Sequence, residues 1–495
     1  MIFYQRDWVP MNSQEIRSKL SHPVIDSDAH WLSFGPQMKE RIEQIAGRKV
    51  AEAFTGFDEL IGGPMRMTPE ERRFKRVAHM GFWQVPMGNT RDRATAMMPK
   101  LLYERLDELG LDFCVMYPTD GPTGGDKELR LKAMRAFNIY SAEHFADFSD
   151  RLRPVAVIPT GTPEEAIEEL EYVTKELGMT ATLFGAMMPR QAPSVEDGGD
   201  EASVRLGPWY DVLGLDSEHD YDPVWQKCID LGISPTFHSS GRGFGFRRSP
   251  SNFTYNHIGH FASAGEAVCK ALFIGGVTRR FPDLNFAFLE GGAHYACQLY
   301  SDLIGHWNVR NAKALEVVNP ANMDHAMLVE LAQEYGPPGM AELMTNRDAA
   351  LFASMNAAVS LGTGGEPNLD DFAACKIQGV EDFPTLFNNF YFGCEADDRM
   401  NASAFNDSVN PLGTKLNAIF SSDIGHFDVA DMGEVLEEAY ELVDDGVVSE
   451  EDFRRFTFTN PVNFWAKGNP DFFKGTVVEQ QAAELLSSDL EVSAG

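Results

Sequence analysis

Apolar positions along the chain follow two rhythms. Short runs rich in β-branched and aromatic residues recur as VIDSDA (24–29), FCVMYP (113–118), PVAVIP (154–159), TATLFG (180–185), SPTFHS (234–239), NFAFLE (285–290), NFYFGC (389–394) and AIFSSD (418–423). Between most of them the spacing lengthens to that of a helix. The clearest helical stretch is TPEEAIEELEYVTKELG. There Thr162 and Glu165 have capping-box spacing, Pro163 suits the first turn, Ile167, Leu170, Val173 and Leu177 share a face, and Gly178 marks the stop. Further helices are predicted over 129–145, 222–231, 262–271 and 432–444. No fixed-period repeat is present, which removes solenoids and propellers. Eight strands alternating with helices predict an α/β chain folded as a (β/α)8 TIM barrel with large loop insertions.

The expected layout is an N-terminal extension over 1–23, a barrel domain over 24–473 and a peripheral C-terminal tail over 474–495. Three stretches exceed the usual few residues of a connection: 31–105, the acidic Gly-rich 190–222, and 300–386. Composition narrows the partners. Against 42 Lys+Arg stand 74 Asp+Glu, a formal charge of -32, which repels nucleic acid and anionic lipid. No window supplies the roughly 20 apolar residues that span a bilayer, and the start lacks the pattern of a secretory signal, so a cytoplasmic protein is expected. The six cysteines are scattered without a CxxC pair and read as buried thiols. The expected partners are a small-molecule substrate and a second copy of the chain.

In a barrel of this kind, chemistry sits at the C-terminal ends of the strands. Those ends carry Asp28 and His30 (first), His238 (fifth), Glu290 (sixth), Glu395 (seventh) and Asp423 (eighth). Residues two apart on a strand share a face, so Asp28 and His30 aim together; Asp26 would join them only if the strand reaches that far, and is expected to support the ligands rather than be one. With His238 and Asp423 they form a thiolate-free set of nitrogen and oxygen donors suited to zinc, manganese or iron. Such an ion lowers the pKa of water toward about 7, which is hydrolytic chemistry.

Taken in order, the D-x-H of the first strand, PTFHSSG, FPDLNFAFLEGG and FSSDIGH resemble the amidohydrolase superfamily. Within it they are most similar to the metal-dependent group that includes aminocarboxymuconate semialdehyde decarboxylase, γ-resorcylate decarboxylase and carbon–carbon bond hydrolases. The resemblance runs from Val24 to about Phe473. It implies metal-ligand roles for Asp28, His30, His238 and Asp423, with Asp423 alternatively taking a proton from the attacking water. Asp28 stands where relatives commonly have histidine, and Glu290 where several have another. No lysine ends the fourth strand, so the carbamylated-lysine bridge of binuclear relatives is absent. One or two ions are expected, and Glu290 is open between ligand, acid/base, and a carboxylate bonded to the Gly291 and Gly292 amides.

In the loop after His238, His257 and His260 are candidates to protonate a leaving group, and Arg242, Arg247 and Arg248 to receive a carboxylate. By looser resemblance to the decarboxylases, Arg91 and Arg93 are candidates to bind an acidic substrate. Trp83, with Phe82, Phe244, Phe246 and Trp307, is expected to line an apolar pocket. Glu395 is read as a structural ion-pair partner, and His294 and His426 as loop residues with support or catalysis equally open. Three functions compete: a metal-dependent hydrolase of an amide, ester, thioester or carbon–carbon bond, a non-oxidative decarboxylase, and a non-catalytic ligand-binding barrel.

Overall fold

All eight apolar runs become parallel strands of one barrel in the computed structural model. They are Ile25–Trp31, Phe113–Pro118, a third strand in two pieces (Leu152–Pro154 and Ala156–Ile158), Thr182–Phe184, Pro235–Phe237, Phe286–Phe288, Phe390–Glu395 and Asn417–Ser421. The structure describes residues 11–52, 54, 66–79, 88–119, 121, 126–192, 195, 209–241, 245–318, 322–347 and 370–493. The third strand is divided at Val155. The Val155 N–H goes back to Met116 O at 3.1 Å, and the Ala156 N–H goes forward to Ala181 O at 2.9 Å. First and eighth strands close the barrel at its mouth, where Asp423 N donates to Asp28 O at 3.1 Å and His30 N donates to Ile424 O at 2.8 Å.

Helices Lys127–Phe145, Pro163–Lys175, Asp222–Leu231, His260–Ile274 and Val435–Asp444 occupy the predicted segments. One local expectation is corrected. Thr162 accepts the Glu165 N–H at 3.4 Å, but the reciprocal half of the capping box does not form because the Glu165 carboxylate pairs with Lys127 on the neighbouring helix. Of the long connections, the first is helical (Gly35–Ala46, Arg48–Glu52, Pro69–Lys75, Thr90–Met97 and Pro99–Leu109). The second contains an antiparallel hairpin, Met188–Arg190 with Trp209–Asp211. Among the described residues no helix is long and apolar enough to cross a membrane.

Side chains alternate with the period of two that a strand imposes. Ile25, Val115, Tyr117, Leu289, Tyr391 and Ile419 share one cluster inside the barrel. Their sequence neighbours Cys114, Met116, Phe288, Phe392 and Phe420 join the cluster that extends to the helices. The inner cluster is continued by Phe458, Phe464, Trp465, Phe472 and Phe473, which form a floor away from the mouth. The start of the C-terminal tail is therefore not peripheral: Val478 and Ala482 are 0% and 2% exposed in that floor.

Candidate metal centre

The first strand places its polar residues by a one-residue bulge. Asp26 aligns with Cys114 and Ala29 with Met116, so three steps on one strand match two on its neighbour. The extra residue lets Ile25 and Ser27 pack toward the floor while Asp28 and His30, further along, still turn inward. The Trp465 indole N–H donates to Ser27 Oγ at 3.4 Å below, and His30 aligns with the inward Tyr117 above. Asp26 falls within the strand but on the other face, beside Cys114. It accepts the Ser422 N–H at 3.0 Å, the Ser422 hydroxyl, and the Asp28 N–H at 3.1 Å, and so ties the first strand to the eighth. Burial pushes its carboxyl up to about 6 against those hydrogen bonds.

Glu290 and Asp423 reach the same volume by a different device. Each is the non-glycine residue at the end of its strand with a left-handed backbone, φ 56° and 55°. This conformation costs energy for a residue with a Cβ, and such strain is concentrated at functional sites. Gly425 then brings the chain back against the first strand, since a Cβ there would lie 2.4 Å from His30 O. That return delivers His426.

The resulting cluster is compact. His30 Nε2 lies 3.2 Å from Asp423 Oδ1 and 3.4 Å from Asp28 Oδ1. His238 Nε2 lies 2.9 Å from Glu290 Oε2 and 3.7 Å from Asp28 Oδ2. His426 Nδ1 is 2.7 Å from Asp423 Oδ1, and its ring stacks on His30 with centroids 3.8 Å apart. Donor atoms of His30, Glu290, Asp423 and His426 all fall within 4.8 Å of one another, as do those of Asp28, His30 and His238. Yet both Asp28 oxygens, both Asp423 oxygens, Glu290 Oε2, both His30 nitrogens and His238 Nε2 are buried without a directed hydrogen bond. Buried polar atoms are nearly always satisfied, so this many orphans at one point indicates a missing partner.

The electrostatics say what kind. Burial and the neighbouring His426 hold His30 and His238 down to about 3, so both imidazoles are neutral and offer a lone pair. Burial, and after it the charge of Asp423, pushes Asp28 and Glu290 well above the usual carboxyl range. Burial also raises Asp423, with His30 opposing. Just outside, on residues that reach the surface, the Asp428 carboxyl is pushed up to about 7 and that of Glu395 to about 8, first by desolvation and then by Asp423. Among the described residues no lysine or arginine pairs with any of these carboxylates. A thiolate-free set of neutral imidazoles and crowded carboxylates fits a divalent cation, which Asp28, His30, His238, Glu290 and Asp423 would hold.

A cavity of about 210 Å³ adjoins the cluster, with Glu290 common to both, and is lined also by His257, His260, Phe261, Glu395 and Asp398. His260 is buried at the start of its helix, with Nδ1 2.8 Å from Ser240 Oγ, and its ring lies 4.6 Å from that of His257. Glu395 is therefore a cavity residue rather than the expected ion-pair partner. The Gly292 N–H goes to Gly393 O at 3.2 Å and not to Glu290, against the amide-bonded alternative.

The arginines separate. Arg91 is not brought to the site: its guanidinium makes two bonds to Glu108, at 3.0 and 2.8 Å, on an exposed helix surface. Arg93, two residues on, has Nη1 buried without a partner, on a helix whose Ala96 O accepts from Leu32 N at the end of the first strand. Arg247 donates to Gly259 O at 2.9 Å. Arg242, Trp83, Phe82 and Phe244 lie outside the described residues. The other proposed pocket aromatics are corrected: Phe246 is 93% exposed, and Trp307 packs edge-on to Phe383. His294 opens the helix His294–Arg310 rather than standing in a loop.

His426 is the site residue to which sequence reasoning gave no definite role. Its signal was the spacing in FSSDIGH, with a glycine where the chain turns back.

Among solved structures, this one is similar to an amidohydrolase from Mycobacterium avium subsp. paratuberculosis K-10, at 16% identity and a TM-score of 0.48 over 90% of this chain and all of that one (100%). It is also similar to a dihydroxybenzoic acid decarboxylase from Polaromonas sp. JS666 with bound manganese and 2-nitroresorcinol (15% identity, TM-score 0.46, 90% of this chain and 97% of that one). A third likeness is 4-oxalomesaconate hydratase from Rhodopseudomonas palustris (15% identity, TM-score 0.44, 94% and 99%). The amidohydrolase family model matches residues 25–313, more than half of the 495, and this chain belongs to the amidohydrolase family.

Proposed function

We propose that this protein is a metal-dependent hydrolase acting on a carbonyl of a small metabolite. The observation that carries the reading is the set of orphaned oxygens and neutral imidazole nitrogens that meet at the barrel mouth. A bound zinc, manganese or ferrous ion would supply Lewis acidity, polarising the carbonyl and acidifying water. Asp423 accepts a proton from the attacking water, and His426 Nδ1, 2.7 Å from its Oδ1, stands ready to share it. His260, oriented by Ser240, protonates the departing group in the adjoining cavity, with His257 beside it. The elements of water are added and one bond to the carbonyl carbon is broken.

A decarboxylase is the second reading, and the unpartnered Nη1 of Arg93 favours it as a receiver for a substrate carboxylate. Against it, no lysine or arginine is among the described residues lining the cavity beside Glu290.

Two measurements decide. Elemental analysis of protein purified without added metal should find a transition metal, and its absence would favour a non-catalytic barrel. A panel of aryl amides, esters, thioesters and β-diketones run in ¹⁸O-water should place label in the product acid. Release of carbon dioxide from aromatic acids without label uptake would instead establish the second reading.

A further inference from the structure

A second cavity lies against the floor, at the opposite end of the barrel from the donor cluster. It holds about 310 Å³ between His22 and Pro23, which lead into the first strand, Arg454 and Phe458, and the last helix at Glu484 and Leu485. Phe458 belongs to the floor with Trp465 and Phe472. The backbone here is unusual: Arg455–Thr459 is a π-helical turn, a rare conformation that recurs at functional sites. Arg454 stands at the start of that turn and Phe458 within it, so the turn sets both side chains on the cavity wall.

Two polar groups on this wall lack a partner. His22 is 5% exposed, and its Nδ1 lies 3.0 Å from Pro23 O. A carbonyl oxygen can only accept, so Nδ1 carries the proton and Nε2 presents a lone pair, which meets no donor among the described residues. Burial lowers the pKa of this ring and keeps it neutral. Arg454 is half-buried, and its guanidinium, 5.5 Å from the Phe458 ring centroid, has no hydrogen bond or ion pair among the described residues. Glu484 does not satisfy it: that side chain accepts from Gln480 Nε2 at 2.9 Å and makes no ion pair with Arg454. The other cation near His22, Arg17, is taken by Asp112, with Nη2 3.0 Å from Oδ1. An acceptor and a cation without partners, both beside the Phe458 ring, call for a ligand that brings a donor and a negative charge. Pro23, Phe458 and Leu485 give it apolar walls, and the space matches roughly ten waters at roughly 30 Å³ each, enough for a small organic molecule.

We propose that the floor cavity is a second ligand site, which binds a small organic acid that also carries a hydroxyl. Arg454 receives the carboxylate, His22 Nε2 accepts from the hydroxyl, and the carbon skeleton lies between Pro23, Phe458 and Leu485. The proposal goes beyond the metal-dependent reading and does not depend on it.

The test uses full-length protein as purified, its metal content measured, and three probes of one shape: 4-hydroxyphenylacetate, phenylacetate and 4-hydroxyphenylacetamide. Binding is read by ligand-observed NMR at neutral pH. The hydroxylated acid should bind at least about tenfold more tightly than the amide, and several-fold more tightly than phenylacetate. Arg454→Gln should remove the preference for acid over amide. His22→Phe should remove the preference for the hydroxyl and leave phenylacetate unchanged. Leu485→Trp, which fills the cavity without touching either polar group, should weaken all three. Failure of the hydroxylated acid to bind, or equal binding of acid and amide by the parent, would overturn the proposal. So would acid binding that Arg454→Gln and Leu485→Trp leave unchanged, which would place the probe elsewhere, as at the donor cluster, or a hydroxyl preference that survives His22→Phe. The parent comparison stands even if a variant misfolds. Metal content decides the hydrolase reading and probe binding decides this one, so either can fail alone.

Discussion

Asp423 joins more of the site than any neighbour: its backbone N–H closes the barrel on Asp28 O, and its Oδ1 meets both His30 and His426. Asp423→Asn keeps an oxygen for a cation but cannot accept the proton. Turnover should therefore fall by roughly two to four orders of magnitude, while elemental analysis finds the metal largely retained. Asp28→Ala should do the reverse first, lowering metal content before activity per bound metal. At this scale Asp28, His30, His238 and Asp423 were legible because strand ends are where a barrel exposes polar side chains. The supporting place of Asp26 was legible as well, but the bulge that turns it to the other face was not, because it leaves no trace in the local pattern.

Among the elements, the helices Thr90–Met97 and Pro99–Leu109 are bound together by a buried pair. Arg105 Nη1 lies 2.7 Å from Asp92 Oδ1, with side chains 4% and 1% exposed, and Asp92 also accepts Met432 N at 2.8 Å from beyond the eighth strand. Removing Asp92 leaves Arg105 paired with Glu108 alone, at 3.0 Å, and takes the acceptor from the Met432 N–H. Asp92→Ala should cost about 1–3 kcal/mol in chemical denaturation, whereas Arg91→Ala on the exposed face of the same helix should cost under about 1 kcal/mol.

The floor behaves as an element of its own. The Arg153 guanidinium lies 4.7 Å from the Phe472 ring centroid and donates to Phe472 O at 2.6 Å, so the chain after the last barrel helix is drawn against the strands. Phe472→Ala should lose about 3–5 kcal/mol, seen as a lower unfolding midpoint, with metal content unaffected in the folded fraction. The helices around the barrel were readable from their spacing, but this floor was not. Phe472 and Val478 belong to a short segment whose burial depends on strands hundreds of residues earlier.

Over the whole molecule, the uncompensated carboxylates set a pH dependence. A carboxyl whose folded pKa exceeds its unfolded value holds its proton more tightly when folded. Its contribution is complete below the unfolded value and is lost as pH rises through the folded one. With Asp26 at about 6, Asp428 at about 7 and Glu395 at about 8, chelator-stripped protein should show a falling melting temperature across that range. Metal-loaded protein should show a flatter trend, because a cation at the neighbouring Asp423 offsets the negative charge that helps to raise these carboxyls. At a free metal concentration of 100 times Kd, stripping should cost about 2.7 kcal/mol near neutral pH. What the sequence alone determined was the alternation of strands and helices and the polar residues that end the strands. Both are local consequences of periodicity, read within a few residues. Only the tertiary structure decided that His426 folds back on His30, that Arg91 turns away to Glu108, and that Glu290 stands between the donor cluster and the adjoining cavity. Each of these depends on a backbone turn or a partner distant in the chain, and the pattern of a short segment carries no record of either.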